Sequence, residues 1–333
     1  MKQLVILSGK GGTGKTSVAA AFAHLLSLDD APLRTVLADA DVDASNLELV
    51  LSPKISTREA LRGGLFAKID WDTCIDCGIC EQVCRFDAIG NVSRPQFYRL
   101  AARRVAESDT PTAPIPELPI VDPIACDGCA ACVYQCPVDA ITMHDQVVGE
   151  WFRSESRYGP LFHASLRPAQ ENSGKLVTLV KQQARLLALD EDYDLVLVDG
   201  PPGIGCPVIS AVSGADMALI VAEPTAAGVH DMHRVLETTA HFGVQSLVCI
   251  NKADIYPKGA VEIETSCHKQ GVQVVGRIPF DTTVTEAMVQ GQSVTRYDPD
   301  APASRALLEV WGRVTPLLQN SGSGDSHFDP NST

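Results

Sequence analysis

Two residue patterns in this 333-residue chain could do chemistry, and the first is a glycine-rich loop that ends in lysine and threonine. The sequence GKGGTGKT occupies residues 9–16 and follows an apolar run at 4–7. Glycines leave the backbone N–H groups free to converge on phosphate oxygens at the start of a helix. Lys15 is then placed to contact the β- and γ-phosphates of a nucleotide, and Thr16 to bind Mg²⁺. The pattern predicts a phosphate-binding loop.

The second pattern is a pair of cysteine runs. Eight of the 11 cysteines fall into two C-x₂-C-x₂-C-x₃-C runs, offset by 52 positions and each followed by D-A-I. Thiolates at this spacing hold [4Fe–4S] clusters, and in two-cluster proteins the fourth cysteine of each run ligates the other cluster. We therefore expect two clusters with crossed ligands. They are Cys74, Cys77, Cys80 and Cys136 for the first, and Cys126, Cys129, Cys132 and Cys84 for the second.

Zinc is the alternative metal for these cysteines, but paired zinc sites usually use two separated C-x₂-C units. The repeats resemble the bacterial two-cluster ferredoxins. Arg85 departs from that motif, which usually has proline there, whereas Pro137 keeps it. The departure changes a turn without removing a ligand. The long spacer between the repeats includes TPTAPIPELP at 110–119 and is expected to be an ordered excursion or an extended proline-rich loop.

Acidic residues follow two of the predicted strands. The strand at 35–38 runs into Asp39 and Asp41, and the strand at 194–198 ends in Asp199. An open α/β sheet places its ligand at the carboxyl ends of its strands, so these carboxylates are candidates for the nucleotide site. Helix capping and turn formation are the alternative roles for Asp39 and Asp41.

Strands and helices must alternate to position these residues. Beyond the first helix, which begins at Thr16, helices are predicted at 175–189, 283–290 and 304–318, and a strand–turn–helix unit at 217–242. The sequence predicts an α/β fold with a mainly parallel sheet flanked by helices, interrupted by an α+β insert that carries the cysteines. The expected divisions are 1–63 and 149–319 for the nucleotide domain, 64–148 for the insert and 320–333 for a disordered polar tail.

Composition narrows the partners and the compartment. The net charge of −14 argues against nucleic acid, which requires a basic surface. Residues 64–145 carry 12 acidic and 6 basic residues, so a redox partner is expected to present a basic docking face. The sequence contains no apolar run of about 20 residues and starts directly in the first strand, so we expect a cytoplasmic protein without a membrane contact. In that compartment the cysteines are not expected to form a disulfide framework.

Lys10, directly after the first glycine of the loop, carries a family resemblance. The form GKGGTGKT resembles the deviant Walker A motif of the MinD/ParA superfamily of ATPases, which includes the nitrogenase iron protein and the Mrp-type iron–sulfur carriers. The resemblance covers nearly the whole chain, including DADVDASNLE and DGPPGIGCPVI. It implies a P-loop NTPase fold, ATP and Mg²⁺, and an ATP-dependent homodimer in which Lys10 reaches the nucleotide of the facing subunit. It also implies that Asp41 orients the attacking water and that Asp199 holds Mg²⁺.

The remaining nucleotide contacts are also implied by this resemblance. Residues 201–203 look like the switch that reports the γ-phosphate, and Asn251-Lys252-Ala253-Asp254 resembles the purine-contacting turn. In GTPases an NKxD sequence reads guanine, but the superfamily favours ATP. The complete set of expected contacts is Gly11, Gly12, Thr13, Gly14, Lys15, Thr16, Ser17, Asp199, Gly203, Asn251 and Lys252, with Lys10, Lys15 and Asp41 as catalytic residues.

Three functions stay open at this stage: an ATP-gated electron-transfer protein that acts on a redox partner, an iron–sulfur carrier that acts on a cluster acceptor, and a positioning ATPase with a ferredoxin sensor. Eight thiolates in a closed ferredoxin arrangement would hold clusters tightly, which favours electron transfer. Cys206, three residues after Gly203, is expected to be a small buried residue at a helix start. The alternative is that dimerisation brings two Cys206 thiols together, as a redox-sensitive pair or a transient cluster site.

Overall fold

The computed structural model describes residues 1–28, 33–43, 45–93, 117–167 and 173–320. They form two compact units. Unit 1 comprises Met1–Glu59, Glu150–Leu166 and Asn172–Thr333, and unit 2 comprises Ala60–Gly149 and Arg167–Glu171. Residues 110–116 of the predicted spacer, and 321–333 of the predicted tail, lie outside the described residues.

A nine-stranded sheet contains most of the strands. Its strands are β1 (Lys2–Ser8), β2 (Thr35–Asp39), β3 (Lys54–Ile69), β6 (Ile141–Ser156), β7 (Gly159–Leu166), β8 (Leu195–Pro202), β9 (Met217–Ala222), β10 (Gln245–Asn251) and β11 (Gln273–Ile278). The order is β11-β10-β9-β1-β8-β2-β7-β6-β3, and every pairing from β11 to β7 is parallel. The central strands are continuous apolar runs, as expected for a parallel sheet that is covered on both faces. This arrangement brings the carboxyl ends of β1, β2 and β8 together.

Helices flank this sheet in unit 1. They are α1 (Lys15–Leu26), α2 (Leu47–Leu51), α5 (Ser173–Asp190), α6 (Cys206–Val212), α7 (Ala226–His241), α8 (Pro257–Lys269), α9 (Thr283–Val289), α10 (Val294–Tyr297) and α11 (Pro302–Asn320). The alanine-rich α1 is buried along most of its length, and its Phe22 ring lies 4.7 Å from that of Trp311. Among the described helices, none is both long and apolar enough to cross a bilayer.

The predicted α/β fold with a mainly parallel sheet is confirmed, but several elements differ from the sequence prediction. Strand β6 (Ile141–Ser156) crosses the division between the two units at Gly149 and Glu150, so no new element begins where the sequence predicts that the nucleotide domain resumes. Helix α8 was not predicted, because only a narrow stripe of its face, at Ala260, Ile263 and Cys267, is apolar and buried. Proline at its first position favours the helix start.

Unit 2 is built from two similar halves. The chain passes between the units along β3 and β6, and unit 2 also holds α3 (Ile79–Val83), α4 (Ala131–Gln135) and an antiparallel pair of β4 (Ile89–Ser93) with β5 (Glu117–Val121). Both helices start after a residue in the left-handed region, Gly78 and Ala130. In each half the first cysteine N–H donates to the carbonyl of an aspartate four residues earlier. The sequence repeat is therefore also a structural repeat.

Candidate functional site

The glycine-rich loop turns from the end of β1 directly into α1. Gly14 precedes the helix with a φ of 97°, and a side chain there would clash with the amide of Asn251. Gly9 is equally constrained, since a Cβ would collide with Asp231. Lys15 begins the helix with only 5% of its surface exposed. The loop therefore needs glycine at these points, and it presents the N-terminus of α1, which favours bound phosphate.

A cavity of about 600 Å³ opens over this loop, which is the size of a small-molecule site. The predicted site residues on its wall are Gly11, Gly12, Gly14, Lys15, Thr16, Ser17, Asp41, Asn251 and Lys252. An apolar part of the wall is formed by Pro279, Phe280, Val284 and Met288. Four predicted site residues are not on the wall: Lys10, Thr13, Asp199 and Gly203. The cavity thus offers a polar end for phosphates and an apolar end for a base.

Two buried carboxylates stand side by side at the end of the central strands. Asp39 on β2 pairs in register with Asp199 on β8, and both side chains are essentially inaccessible. Burial raises the pKa of Asp199 to about 7; the Lys15 charge and the Thr16 hydroxyl oppose this rise, and the Asp41 charge adds to it. Burial also raises the pKa of Asp39 well above its ordinary value, and the neighbouring Asp199 charge adds to that shift.

The two carboxylates differ in their hydrogen bonds. Asp39 accepts from Ser45 Oγ at 2.7 Å and from the N–H groups of Asp41 and Leu47, both at 3.1 Å. Within the described ranges, neither carboxyl oxygen of Asp199 forms a hydrogen bond of normal geometry; the Thr16 hydroxyl lies near enough to lower its pKa but does not complete one. A buried polar group without a partner is costly, which points to a ligand at that position. Oxygen ligands suit Mg²⁺, so Asp199 and the Thr16 hydroxyl fit a magnesium ion bound with a nucleotide.

The loop that carries Asp41 is ordered by Asp39 beneath it. Its three hydrogen bonds hold Asp41, Ser45 and the first residue of α2, and the Val42 carbonyl accepts the N–H of Leu166. Asp41 itself reaches the cavity wall. Asp39 therefore supports the loop, while Asp41 lines the cavity together with two other aspartates, Asp43 and Asp281.

Glu223 is a site residue that the sequence prediction missed. It follows β9, and its carboxylate contacts Lys10 Nζ at 2.8 Å and Lys252 Nζ at 2.5 Å. Lys252 Nζ also donates to the Gly12 carbonyl at 3.1 Å. The missed signal is the one that identified Asp199, an acid at the carboxyl end of a buried strand. Here the acid lies in the sequence AEPT, directly after the apolar run of β9.

The predicted purine turn at the end of β10 is tied to the glycine loop. Asn251 Nδ2 donates to the Thr13 carbonyl at 2.7 Å, and Asn251 Oδ1 accepts the Lys252 N–H at 3.0 Å. Asp254 is not on the cavity wall. Its carboxylate accepts the Phe280 N–H at 2.6 Å. The acid that would read guanine in an NKxD sequence is therefore used to hold the segment after β11.

Two of the predicted switch residues, Pro201 and Pro202, follow Asp199 on β8, and Gly203 comes directly after the strand. Gly203 has a φ of 90°, and its N–H donates to the Ser8 carbonyl at 2.9 Å. Cys206 then begins α6 and is exposed, so its prediction as a buried residue is wrong. The first position of this short helix faces outward, whereas the buried side chains are Val208, Ala211 and Val212.

Two small cavities in unit 2 are lined by the cysteines. One is lined by Cys74, Cys77, Cys80 and Cys136, and the other by Cys84, Cys126, Cys129 and Cys132. Each set combines three cysteines of one run with the fourth of the other run. The backbone N–H of Ala88 donates to Cys84 Sγ at 3.4 Å, and that of Ala140 donates to Cys136 Sγ at 3.2 Å.

Across the described part of the chain, no three side chains of His, Cys, Asp or Glu are grouped to hold a single metal ion. Each set of four cysteines therefore lines a small cavity and does not converge on the position of a single metal ion. Cys77 and Cys129 are exposed and Cys132 is buried, while the other five are half-buried. Cysteine sulfur is the ligand that iron–sulfur clusters use, so the walls of these two small cavities fit such clusters in their chemistry.

Comparison with known proteins agrees with the geometry of unit 1. Residues 4–294 match the CobQ/CobB/MinD/ParA nucleotide binding domain. An uncharacterized protein of Methanocaldococcus jannaschii is 30% identical over 323 residues, which cover 95% of this chain and 97% of that protein. The iron–sulfur cluster carrier protein of Pyrococcus furiosus is 26% identical over 166 residues, 45% of this chain and 55% of the carrier.

Solved structures show the same fold. The septum site-determining protein MinD of Pyrococcus horikoshii, solved with Mg-ADP, superposes with a TM-score of 0.51 at 18% identity, covering 95% of this chain and 96% of MinD. The glycine loop and the aspartates at the strand ends lie in unit 1, within the residues that the family model matches. The chain belongs to the CobQ/CobB/MinD/ParA nucleotide-binding family and is an ATPase of that family.

Proposed function

We propose that the protein is an ATP-hydrolysing iron–sulfur protein that couples a nucleotide-dependent homodimer rearrangement to electron transfer toward a protein partner. Unit 2 is then an inserted two-cluster ferredoxin domain. The observation that carries the proposal is the pair of cavities in unit 2, each lined by four cysteines in the crossed combination. When bound, two [4Fe–4S] clusters would supply one-electron carriers.

The residues of unit 1 have separate roles in this proposal. Lys15 and the backbone of the glycine loop bind the phosphates, and Thr16 with Asp199 holds Mg²⁺. Asp41, on a loop that Asp39 keeps in place, orients the attacking water. Lys10 adds positive charge in the ATP-bound dimer. Preorganised charge at the phosphates is commonly the largest catalytic contribution.

ATP, rather than GTP, is the proposed substrate. A guanine-reading turn needs a carboxylate that is free to accept hydrogen bonds from the base. Asp254 already accepts the Phe280 N–H, and Asn251 spans the turn and the glycine loop. Pro279, Phe280 and Met288 give this end of the wall apolar surface that suits a purine face, beside the polar residues Asp281 and Thr285.

A cluster carrier is the second candidate, because relatives named iron–sulfur cluster carrier proteins match 45% of this chain or less at 26–28% identity. The two candidates differ in how clusters are held. A carrier must release its cluster to an acceptor, whereas a redox protein keeps it. In unit 2, Cys132 is buried and the hydrogen-bonded Cys84 and Cys136 are half-buried, which favours retention.

Metal analysis of anaerobically purified protein tests the proposal. We expect about eight iron and about eight acid-labile sulfides per chain, the content of two [4Fe–4S] clusters. Cys84→Ser should damage the cluster of the second run, and Cys136→Ser that of the first. Cys206→Ser is the matched control, since this exposed cysteine lies outside unit 2. Stoichiometric zinc without sulfide would contradict the proposal.

Transfer to an acceptor separates the two candidates. The loaded protein, reduced beforehand with dithionite and freed of excess reductant, is mixed with an apo-ferredoxin and a chelator, with and without Mg-ATP. Retention of both clusters, together with ATP-dependent reduction of an added electron acceptor, supports electron transfer. Stoichiometric movement of clusters to the apo-ferredoxin supports the carrier.

A further inference from the structure

The Glu223 carboxylate, directly after β9, links the glycine loop to the purine turn. One oxygen contacts Lys10 of the glycine loop, and the other contacts Lys252 of the purine turn. Its side chain is 10% exposed, whereas that of Lys10 is 38% exposed. Burial raises the pKa of Glu223, but the hydrogen bonds and charges of both lysines outweigh this and hold the pKa below its ordinary value. The carboxylate is therefore ionised at neutral pH.

The backbone around this pair is built to hold it. Lys252 has a φ of 55°, an uncommon conformation for a residue with a side chain, and its ammonium also binds the Gly12 carbonyl. The Lys10 carbonyl accepts a hydrogen bond from Ser8 Oγ at 2.7 Å. A hydrogen bond thus holds the Lys10 backbone, and Lys252 holds the Glu223 carboxylate. A sparsely populated conformation that persists next to a ligand site is commonly tied to function.

The Lys10 side chain is held away from the nucleotide cavity. Lys252 is on the cavity wall, but Lys10 is not. A lysine ammonium serves phosphate as a mobile point charge, and it cannot serve both partners at full strength. Before Lys10 can act on a phosphate, its ion pair with Glu223 must break.

We infer that Glu223 is a positioning residue that restrains Lys10 until nucleotide is engaged, so that releasing the Lys10–Glu223 ion pair is part of the cost of reaching the hydrolytic state. This inference rests on the proposed role of Lys10 in hydrolysis. The ion pair of Glu223 with Lys252 remains when Lys10 leaves, so Glu223 keeps one cation and does not become an unpaired buried charge.

The test compares ATP hydrolysis by the full chain carrying Glu223→Gln with that by the unaltered protein. Glutamine keeps the shape and an acceptor oxygen but removes the charge. The expected result is a kcat/KM for ATP that rises roughly threefold to fivefold, the size of a partly exposed ion pair. Glu223→Asp keeps the charge and should return kcat/KM toward the unaltered value. Glu264→Gln removes a remote ion pair with Arg277 and is the matched control, with no change expected.

A double variant shows whether the effect passes through Lys10. In the Lys10→Ala background, with residual hydrolysis followed in single turnover at high protein concentration, Glu223→Gln should change nothing further. Unchanged or lower kcat/KM in Glu223→Gln alone, with a normal melting midpoint and ADP affinity, overturns the inference. A rise that persists without Lys10 also overturns it, because the effect would then run through Lys252.

Failure of the inference and failure of the proposed Lys10 role are distinguishable. Full hydrolysis by Lys10→Ala removes both the catalytic role of Lys10 and the reason for a restraint. If Lys10→Ala is inactive and Glu223→Gln still gives no gain, only the restraint is wrong. Should Glu223→Gln fail to fold, the Glu223→Ala variant and the ADP titration decide in its place.

Discussion

The nucleotide site and the cysteine sites differ in how much buried structure holds their residues in place. Around the nucleotide cavity, Asp39 and Asp199 are buried near the carboxyl ends of β2 and β8, and Lys15 is buried at the start of α1. In unit 2 the core is a cluster of five buried residues, Ala67, Ile69, Ile89, Cys132 and Ile141, and most of the remaining contacts come from the cysteines themselves.

This difference separates a site that the fold holds in place from sites that depend on their ligand. A small core cannot stabilise a unit of this size unaided, and domains of that kind usually need metals or disulfides. The described cysteines of unit 2 form no disulfide, so the clusters that we propose are the expected source of its stability. Unit 1 has a large core, and we expect it to stay folded without a ligand.

The largest expected effect comes from removing iron. Anaerobic chelation should unfold unit 2 and leave unit 1 folded, because metal binding of this kind is also folding free energy. We expect amide exchange at 60–93 and 117–149 to accelerate by more than about a thousandfold, with little change at 195–251. Peptide-resolved hydrogen exchange by mass spectrometry measures this.

ADP binding serves as the control for iron removal. It should survive in the iron-free protein, since the nucleotide site is built from unit 1. A loss of ADP binding on chelation would show that the two units fold as one, and unchanged exchange in unit 2 would show that its fold does not depend on iron.

The next largest effect concerns catalysis in unit 1. Lys15→Ala should lower kcat for ATP hydrolysis by about 100- to 1,000-fold, because it removes a preorganised charge at the phosphates. The iron and sulfide content should not change. Lys2→Ala, which removes the exposed ion pair with Asp216, is a control for loss of a lysine and should leave kcat unaltered. A drop in iron content in Lys15→Ala would break the separation between the two units.

Substitution of Asp199, unlike the changes above, is expected to stabilise the nucleotide-free protein. Its pKa of about 7 in the folded protein lies above the ordinary value of 3.8, so the folded state binds more protons than the unfolded state between those limits. The free energy of unfolding of nucleotide-free protein should therefore fall as pH rises from about 4 to about 7. Asp199→Asn should stabilise this form at pH 8 by about 1–3 kcal/mol while abolishing Mg²⁺-dependent hydrolysis.

Chemical denaturation of the ligand-free protein at pH 5 and pH 8 checks the Asp199 prediction. The stabilisation by asparagine should be largest at pH 8 and nearly absent at pH 5. Saturating Mg-ADP should reverse the order of the two proteins, because the carboxylate then has its ion. Equal stability of both proteins at both values of pH would mean that Asp199 carries no buried charge in the folded state.

Sequence reasoning predicted the glycine loop and the α/β sheet because each rests on local patterns. Gly14 and Lys15 belong to a short motif, and β1 and β8 are plain apolar runs. The contacts of Glu223 and Asp254 could not be predicted from local patterns, since their partners are distant along the chain. Glu223 meets Lys10 across 213 positions, and only the parallel order of the strands brings them together. Cys206 was assigned to the interior from its residue type, whereas a short helix exposes its first position.

The smallest expected effect sharpens the description of the base end of the cavity. Asp254→Ala should weaken ATP binding by about fivefold, because the Phe280 N–H loses its acceptor and the wall segment after β11 loosens. Asp254→Asn is the discriminating variant, since its side-chain carbonyl can still accept from Phe280. If Asp254 only holds the wall, asparagine should restore ATP affinity to near the unaltered value and leave the preference for ATP over GTP intact. If Asp254 instead read guanine, the unaltered protein would prefer GTP, and asparagine would lose that preference as fully as alanine does, since an amide cannot accept both hydrogen bonds that a guanine edge donates. Nucleotide titration of the three proteins with ATP and GTP separates the two roles.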